Sequence, residues 1–302
     1  MKVLFATDGS RYAEYAEQLM MGLFPSSLVD LSIVSVCPAS DLRPIDFDFP
    51  PDVLQSVSEC RDHTKDLVAN AANRMNTWAK SAGTKVLEGH TAQEILKEID
   101  ETHPDVCVIG SHGRSAVDRF FLGSVSDKIS KHAHASMLLA RPHNEDYQST
   151  QCHRILIADD GSRLASRAII RFAERPSNTK SEIQLVSIVP DFRASAFGRG
   201  VDGQELIDEA IAVHKERHKE FTELLAPNAA SVTSVVEVGH NVANDIVHRA
   251  DEFNADLIIL GGNEKSTLNR MLLGSVSTSV LHHAHCSVWI ERPHHSDATE
   301  QA

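Results

Sequence analysis

Short apolar runs separated by stretches of helical period organise this chain. Val3 to Ala6 forms the first run and ends on Asp8-Gly9-Ser10, where Ser10 is placed to cap a helix through Ala13, Ala16 and Leu19. Leu31 to Val36 predicts a second strand, and the prolines at 44, 50 and 51 predict a loop over residues 39–51. A long helix is expected from Asp52 to Ala82, ended by Gly83, followed by a strand Lys85 to Glu88 and a helix Ala92 to Glu101. Val106, Val108 and Ile109 then lead into Gly110, Gly123-Ser124 opens a helix carrying Val125 and Ile129 four apart, and Met137 to Ala140 is a last strand.

The same series then repeats. Asp160 follows Asp8 by 152 positions, while Gly261, Gly274 and Pro293 follow Gly110, Gly123 and Pro142 by 151. DVCVIG returns as DLIILG, and LGSVSDKISKHAHAS as LGSVSTSVLHHAHCS. The pattern is a tandem duplication, with domains expected at 1–143 and 152–293, a polar joint between them and a polar tail at 294–302. Mostly apolar strands alternating with helices predict two α/β domains, each an open parallel sheet with helices on both faces. Ligands of such sheets sit beyond the carboxyl ends of the strands, where the strand order reverses. Asp8, Val36 and Gly110 all end strands and are therefore expected to converge on one crevice.

Composition narrows the classes of function. A net charge of −13 disfavours non-specific binding to nucleic acid or an anionic membrane, because counterion release needs a basic surface. No apolar run has the length of a membrane span, and MKVLFA is too short for a secretory signal, so a cytoplasmic protein is expected. Five scattered cysteines without a CxxC spacing argue against a disulfide framework or a structural zinc site, and their side chains are expected to be reduced. His132, His134, His282, His283 and His285 gather at helix C-termini, where imidazole suits the negative end of the dipole, and no metal site is assigned to them.

From Gly110 to Ser126 the chain reads strand end, G-x2-G-x9-G-S, helix start. Glycines let a ligand approach the backbone, and a helix start offers unpaired N–H groups to a phosphate. Together with the upstream Asp-Gly-Ser, this arrangement resembles the universal stress protein family over essentially the whole chain, as two fused copies. The resemblance implies a Rossmann-like fold of the adenine nucleotide alpha hydrolase type. In the ATP-binding branch of the family the motif is the nucleotide signature. By residue, it implies Val36 at the adenine, Gly110 against the ribose, and Gly113 with His112 and Arg114 around the phosphates. Gly123, Ser124, Val125 and Ser126 would lie at the terminal phosphates, and Asp8 near the nucleotide. Magnesium or manganese could accompany ATP, bridging its phosphates.

The second half departs from the motif, for Glu264 stands where the first half has Gly113, with Lys265 beside it. A carboxylate about 4 Å from a phosphate charge is opposed by roughly 4 kcal/mol at a surface dielectric. Asp160, Gly261, Gly274 and Ser275 therefore form at most a weak second site. No G-x4-G-K-[ST] loop, kinase signature or G-x-S-x-G elbow is present, and no residue is assigned a catalytic role. The expected function is a regulatory, ATP-binding stress-response protein. The alternatives are a slow ATPase or adenylyl-transfer enzyme, in which Asp8 or His112 would position water or acceptor, and a structural adaptor with incidental ATP. In single-domain relatives the last strand commonly mediates dimers, so Met137 to Ala140 and Val288 to Glu291 are expected to pair the two domains as a pseudo-dimer. Further homo-oligomerisation is left open.

Overall fold

A computed structural model describes residues 1–38, 51–113, 122–142, 153–174, 180–193, 202–262 and 273–293. Residues 39–50 of the loop expected over 39–51, the joint between the repeats, Arg114, Glu264, Lys265 and the C-terminal tail lie outside the described residues, while Pro51 opens a helix. The chain divides into two compact units, one within residues 1–141 and one within 142–292.

In the first unit the elements follow as β1 (Lys2–Ala6), α1 (Arg11–Leu23), β2 (Asp30–Cys37), α2 (Pro51–Met75), β3 (Ser81–Glu88), α3 (Thr91–Thr102), β4 (Val106–Gly110), α4 (Ser124–His132) and β5 (Ser136–Ala140). The strands are all parallel and lie in the order β3-β2-β1-β4-β5. The chain thus builds outward from β1 to β3, then returns to the other side of β1, and the order reverses between β1 and β4. Right-handed crossovers place α1 and α2 on one face and α3 and α4 on the other. Polar contacts tie each couple: Arg74 of α2 forms an ion pair with the buried Glu17 of α1 at 2.6 Å, and His134, just past α4, is hydrogen-bonded to Asp100 of α3 at 2.9 Å.

β1 is apolar at every position after Lys2 because both faces are covered; Leu4 and Phe5 are wholly buried. The expected cap is present, with the Ser10 side chain accepting a hydrogen bond from the Ala13 amide at 3.3 Å. One boundary departs from the sequence expectation. The long helix stops at Met75, not at Ala82, and Gly83 lies inside β3 opposite Ser32. The stretch Asn76 to Lys80 makes a turn, with the Trp78 and Ala79 amides bonding to the Met75 carbonyl, and Ser81 then pairs with Asp30. Strand pairing along all eight residues of β2 overrides the weak helical preference of this stretch, helped by a hydrogen bond from the Ser81 hydroxyl to Asp30 at 2.9 Å.

The second unit repeats the plan with β6 (Arg154–Ala158), α5 (Arg163–Ala173), β7 (Ser181–Pro190), α6 (Gly203–Leu225), β8 (Ala229–Gly239), α7 (Val242–Phe253), β9 (Leu257–Gly261), α8 (Ser275–His283) and β10 (Ser287–Glu291). Its parallel order is β8-β7-β6-β9-β10. Ser162 caps α5 through the Ala165 amide at 3.1 Å, as Ser10 caps α1.

Gly110 ends β4 where the first turn of α1 crosses it. A Cβ there would lie 2.9 Å from the Tyr12 carbonyl carbon and Cβ, and 3.0 Å from the Ala13 nitrogen. Backbone atoms cannot step aside as a side-chain tip can. Gly110→Ala is therefore expected to destabilise the protein by about 1–3 kcal/mol, read as a lowered midpoint in urea denaturation.

Candidate functional site

In the first unit the carboxyl ends of β1 and β4 and the start of α4 meet at the reversal point. Asp8, Gly9 and Ser10 form a tight turn: the Ser10 amide donates to Asp8 Oδ1 at 3.0 Å, the Gly9 amide to Thr7 Oγ1 at 3.2 Å, and Gly9 takes a φ of 70°. Asp8 Oδ2 is turned toward the loop after β4, where a Cβ on Gly113 would come within 2.8 Å of it. Two residues 105 positions apart in sequence thus face each other, and a side chain at 113 would fill the space between them. Ser126, one turn into α4, donates its hydroxyl to the Gly110 carbonyl at 2.8 Å, and the Gly123 amide donates to the Ser111 carbonyl at 2.9 Å. These two bonds seat the helix start on the strand end. Gly123 caps α4 without a side-chain hydrogen bond, so no side chain of the cap covers the first-turn N–H groups, and Ser124 is exposed there.

His112 does not extend from the loop into solvent. It is buried, with its ring 4.9 Å from that of Tyr12 and its Nδ1 3.1 Å from the Ser111 hydroxyl. Its carbonyl accepts a hydrogen bond from Ser10 Oγ at 3.4 Å, tying the loop to the cap of α1. Val36 is half-buried near the end of β2, beside β1 and opposite Leu87 of β3.

The second unit builds the same frame and leaves a cavity of about 310 Å³ at its reversal point. Asp160, Gly261, Gly274 and Ser275 line it, with Val186, Ile188, Val242, Ile246 and Leu260 as apolar walls. That volume falls within the range of about 300–1,000 Å³ usual for small-molecule sites. Ser277 repeats the anchor of Ser126, donating to the Gly261 carbonyl at 3.0 Å, and Asp160 Oδ1 accepts from the Ser162 amide at 3.0 Å.

The model of the universal stress protein family matches this chain twice, over residues 1–141 and 152–292. The chain belongs to the universal stress protein family. A universal stress protein of Staphylococcus aureus (strain USA300) is 29% identical over 143 residues, which is 46% of this chain and 82% of that protein. The crystal structure of a universal stress protein from Archaeoglobus fulgidus covers 98% of this chain and 97% of its own, with a TM-score of 0.64 at 18% identity. One from Pseudomonas aeruginosa UCBPP-PA14 covers 97% and 93%, with a TM-score of 0.63 at 16% identity. The likeness in fold to these structures thus extends over nearly the whole chain.

Within that family frame, the second domain holds a polar cluster that none of the sequence motifs includes. Asp159, buried at the end of β6, replaces Thr7 of the first repeat. Arg217 of α6 grips it with two hydrogen bonds, at 2.9 and 3.1 Å, and Ser187 donates to its carbonyl. His218, also buried, places Nε2 2.9 Å from Ser187 Oγ and Nδ1 2.8 Å from Ser234 Oγ; His214 stands 4.0 Å from Asp159. Counting back from the helix ends, Arg217 and His218 correspond to Leu67 and Val68 of α2. The signal was present in the sequence as a doubled aspartate, Asp159-Asp160, where the first half has Thr7-Asp8.

Burial pushes the His218 imidazole below its ordinary value of 6.5; Asp159 pulls the other way, and His214 and Arg217 add to the lowering. The folded state therefore keeps His218 neutral at a pH where the unfolded chain takes up a proton. Its contribution is intact above pH 6.5 and is lost as pH falls from there toward the depressed folded value. Stability of the second domain should fall on acidification below 6.5 with a slope of up to about 1.4 kcal/mol per pH unit. Denaturation midpoints measured across this range should show the slope in the parent protein and a flatter one in His218→Gln.

Proposed function

We propose that this protein is a regulatory stress-response protein that binds ATP, mainly through its first domain. ATP binding occurs in some members of the family. The observation that carries the reading for this chain is the approach of Gly113 to Asp8 beside the α4 start. At that point the backbone is bare and the helix dipole is positive, and an added Cβ would lie 2.8 Å from a carboxylate oxygen. In this reading Gly110, His112, Gly113, Arg114, Gly123, Ser124, Val125 and Ser126 surround the ribose and phosphates, and Val36 meets adenine. Ser126 acts chiefly by holding the helix start to β4.

Asp8 suits a magnesium or manganese ion carried by the nucleotide, since Oδ1 is held by the Ser10 amide and Oδ2 is turned toward the Gly113 loop. The ion would neutralise phosphate charge, and Asp8 would orient it. No group is assigned a part in hydrolysis, and nucleotide occupancy is read out as a change in conformation or partner binding. The second domain contributes a weaker site, because Glu264 replaces the glycine that corresponds to Gly113. A cytoplasmic location and a pseudo-dimer of the two domains within one chain belong to the same reading. Among the described residues, no helix is long and apolar enough to cross a membrane.

Titration calorimetry with ATP and magnesium should give one site per chain. Gly113→Glu, which copies the second repeat, should weaken that site by about a hundredfold or more and also lower the urea midpoint modestly, because it crowds a second carboxylate against Asp8. Two equivalent sites would overturn the assignment to the first domain. Sustained turnover abolished by Asp8→Ala would move the protein to the enzymes.

A further inference from the structure

Cys37 is the last residue of β2, one position beyond Val36, and Cys60 lies on α2, which packs against β2 and β3. Their sulfur atoms are 2.8 Å apart. That is closer than the ~3.5–4.0 Å at which non-bonded carbon atoms settle, and a small side-chain movement would bring them to the ~2.05 Å of a covalent bond. Cys37 is fully buried and Cys60 half-buried, so one sulfur is open to a small oxidant and the other waits behind it.

We propose that Cys37 and Cys60 form a reversible redox couple, oxidised by hydrogen peroxide to a disulfide that clamps α2 to the carboxyl end of β2. The Cys60 thiolate attacks one peroxide oxygen. The S–O bond forms, the O–O bond breaks, hydroxide leaves and is protonated to water, and Cys60 becomes a sulfenic acid. Cys37 sulfur then attacks Cys60 sulfur. The S–S bond forms, the S–O bond breaks, and hydroxide departs with the Cys37 proton as a second water. Two thiols and one peroxide thus give one disulfide and two waters. A dithiol reductant reverses the change by exchange.

Among the described residues, the other cysteines do not share this arrangement. Cys107, inside β4, is wholly buried, and burial pushes its thiol up to about 12, which withholds the reactive thiolate. Cys286 is likewise buried. The second domain offers an internal contrast, since Val189 and Ala210 occupy the places that correspond to Cys37 and Cys60. The couple belongs to the first domain alone, at the strand end that borders its crevice, and it does not depend on what that crevice binds.

The test is to oxidise the reduced full-length protein with hydrogen peroxide, block the remaining thiols and digest it without reductant. A single linked peptide pair containing Cys37 and Cys60 is expected, lighter by about 2 Da than the two thiol peptides and separated again by a dithiol. The oxidised protein should melt about 5 °C or more above the reduced one, because the crosslink closes a loop of 23 residues. Cys60→Ala, the residue that the second repeat carries, should show neither the linked peptide nor the shift. Sulfinic acid at Cys60 without a crosslink, or a crosslink from either residue to a different cysteine, would overturn the proposal. The peptide map of the unmodified sequence gives this answer whether or not the variant folds.

Discussion

The approach of a helix start to a strand-end glycine is the constraint on which the rest of each domain depends. In the first repeat the opening turn of α1 comes so near Gly110 that a Cβ there would meet Tyr12 backbone at 2.9 Å. In the second repeat Gly261 stands in the same relation to the Ala165 nitrogen, at 2.8 Å. This contact fixes the Asp-Gly-Ser turn after the first strand against the loop after the fourth. A serine hydroxyl from the next helix then bonds to the carbonyl of the same glycine, Ser126 in one repeat and Ser277 in the other. One glycine therefore receives one helix on its side-chain face and anchors another through its carbonyl. The crevice is what remains between them.

Duplication has kept that frame and changed what surrounds it. The first repeat covers the end of β1 with a threonine and packs α2 through Val68, Ala71 and Met75. The second sets a buried carboxylate at Asp159 and answers it with Arg217 from α6. Asp159 is buried while Arg217 keeps partial access to water, so loss of Arg217 would leave the Asp159 carboxylate as an uncompensated buried charge. The second domain is thereby more dependent on a specific polar arrangement and on the neutral state of His218. The first domain carries instead a pair of sulfur atoms at the end of β2, which the second lacks. Two domains with one fold thus differ in the chemistry each could sense.

Much of the fold was legible because its signals are local. Strand runs ending in glycine, the Ser10 and Ser162 caps, and an offset of 151–152 residues between repeats need no knowledge of distant neighbours. The end of α2 was not legible in the same way. Asn76 to Lys80 and the alanines around it have no strong preference, and it is Asp30 and the neighbouring strand that draw Ser81 to Glu88 into the sheet. His112 likewise reads as a loop residue in sequence and becomes a buried partner of Tyr12 only once β4 lies beneath α1.

The sequence by itself determined the repeated α/β architecture and the family, because periodicity, spacing and motif are properties of a linear chain. Only the tertiary structure decided which residues face one another. Asp8 and Gly113, Cys37 and Cys60, and Asp159 and Arg217 are separated by 23 to 105 positions, and each pair meets because parallel crossovers return the chain to one edge of the sheet. Proximity of that kind depends on how helices pack over strands, and no local pattern encodes it.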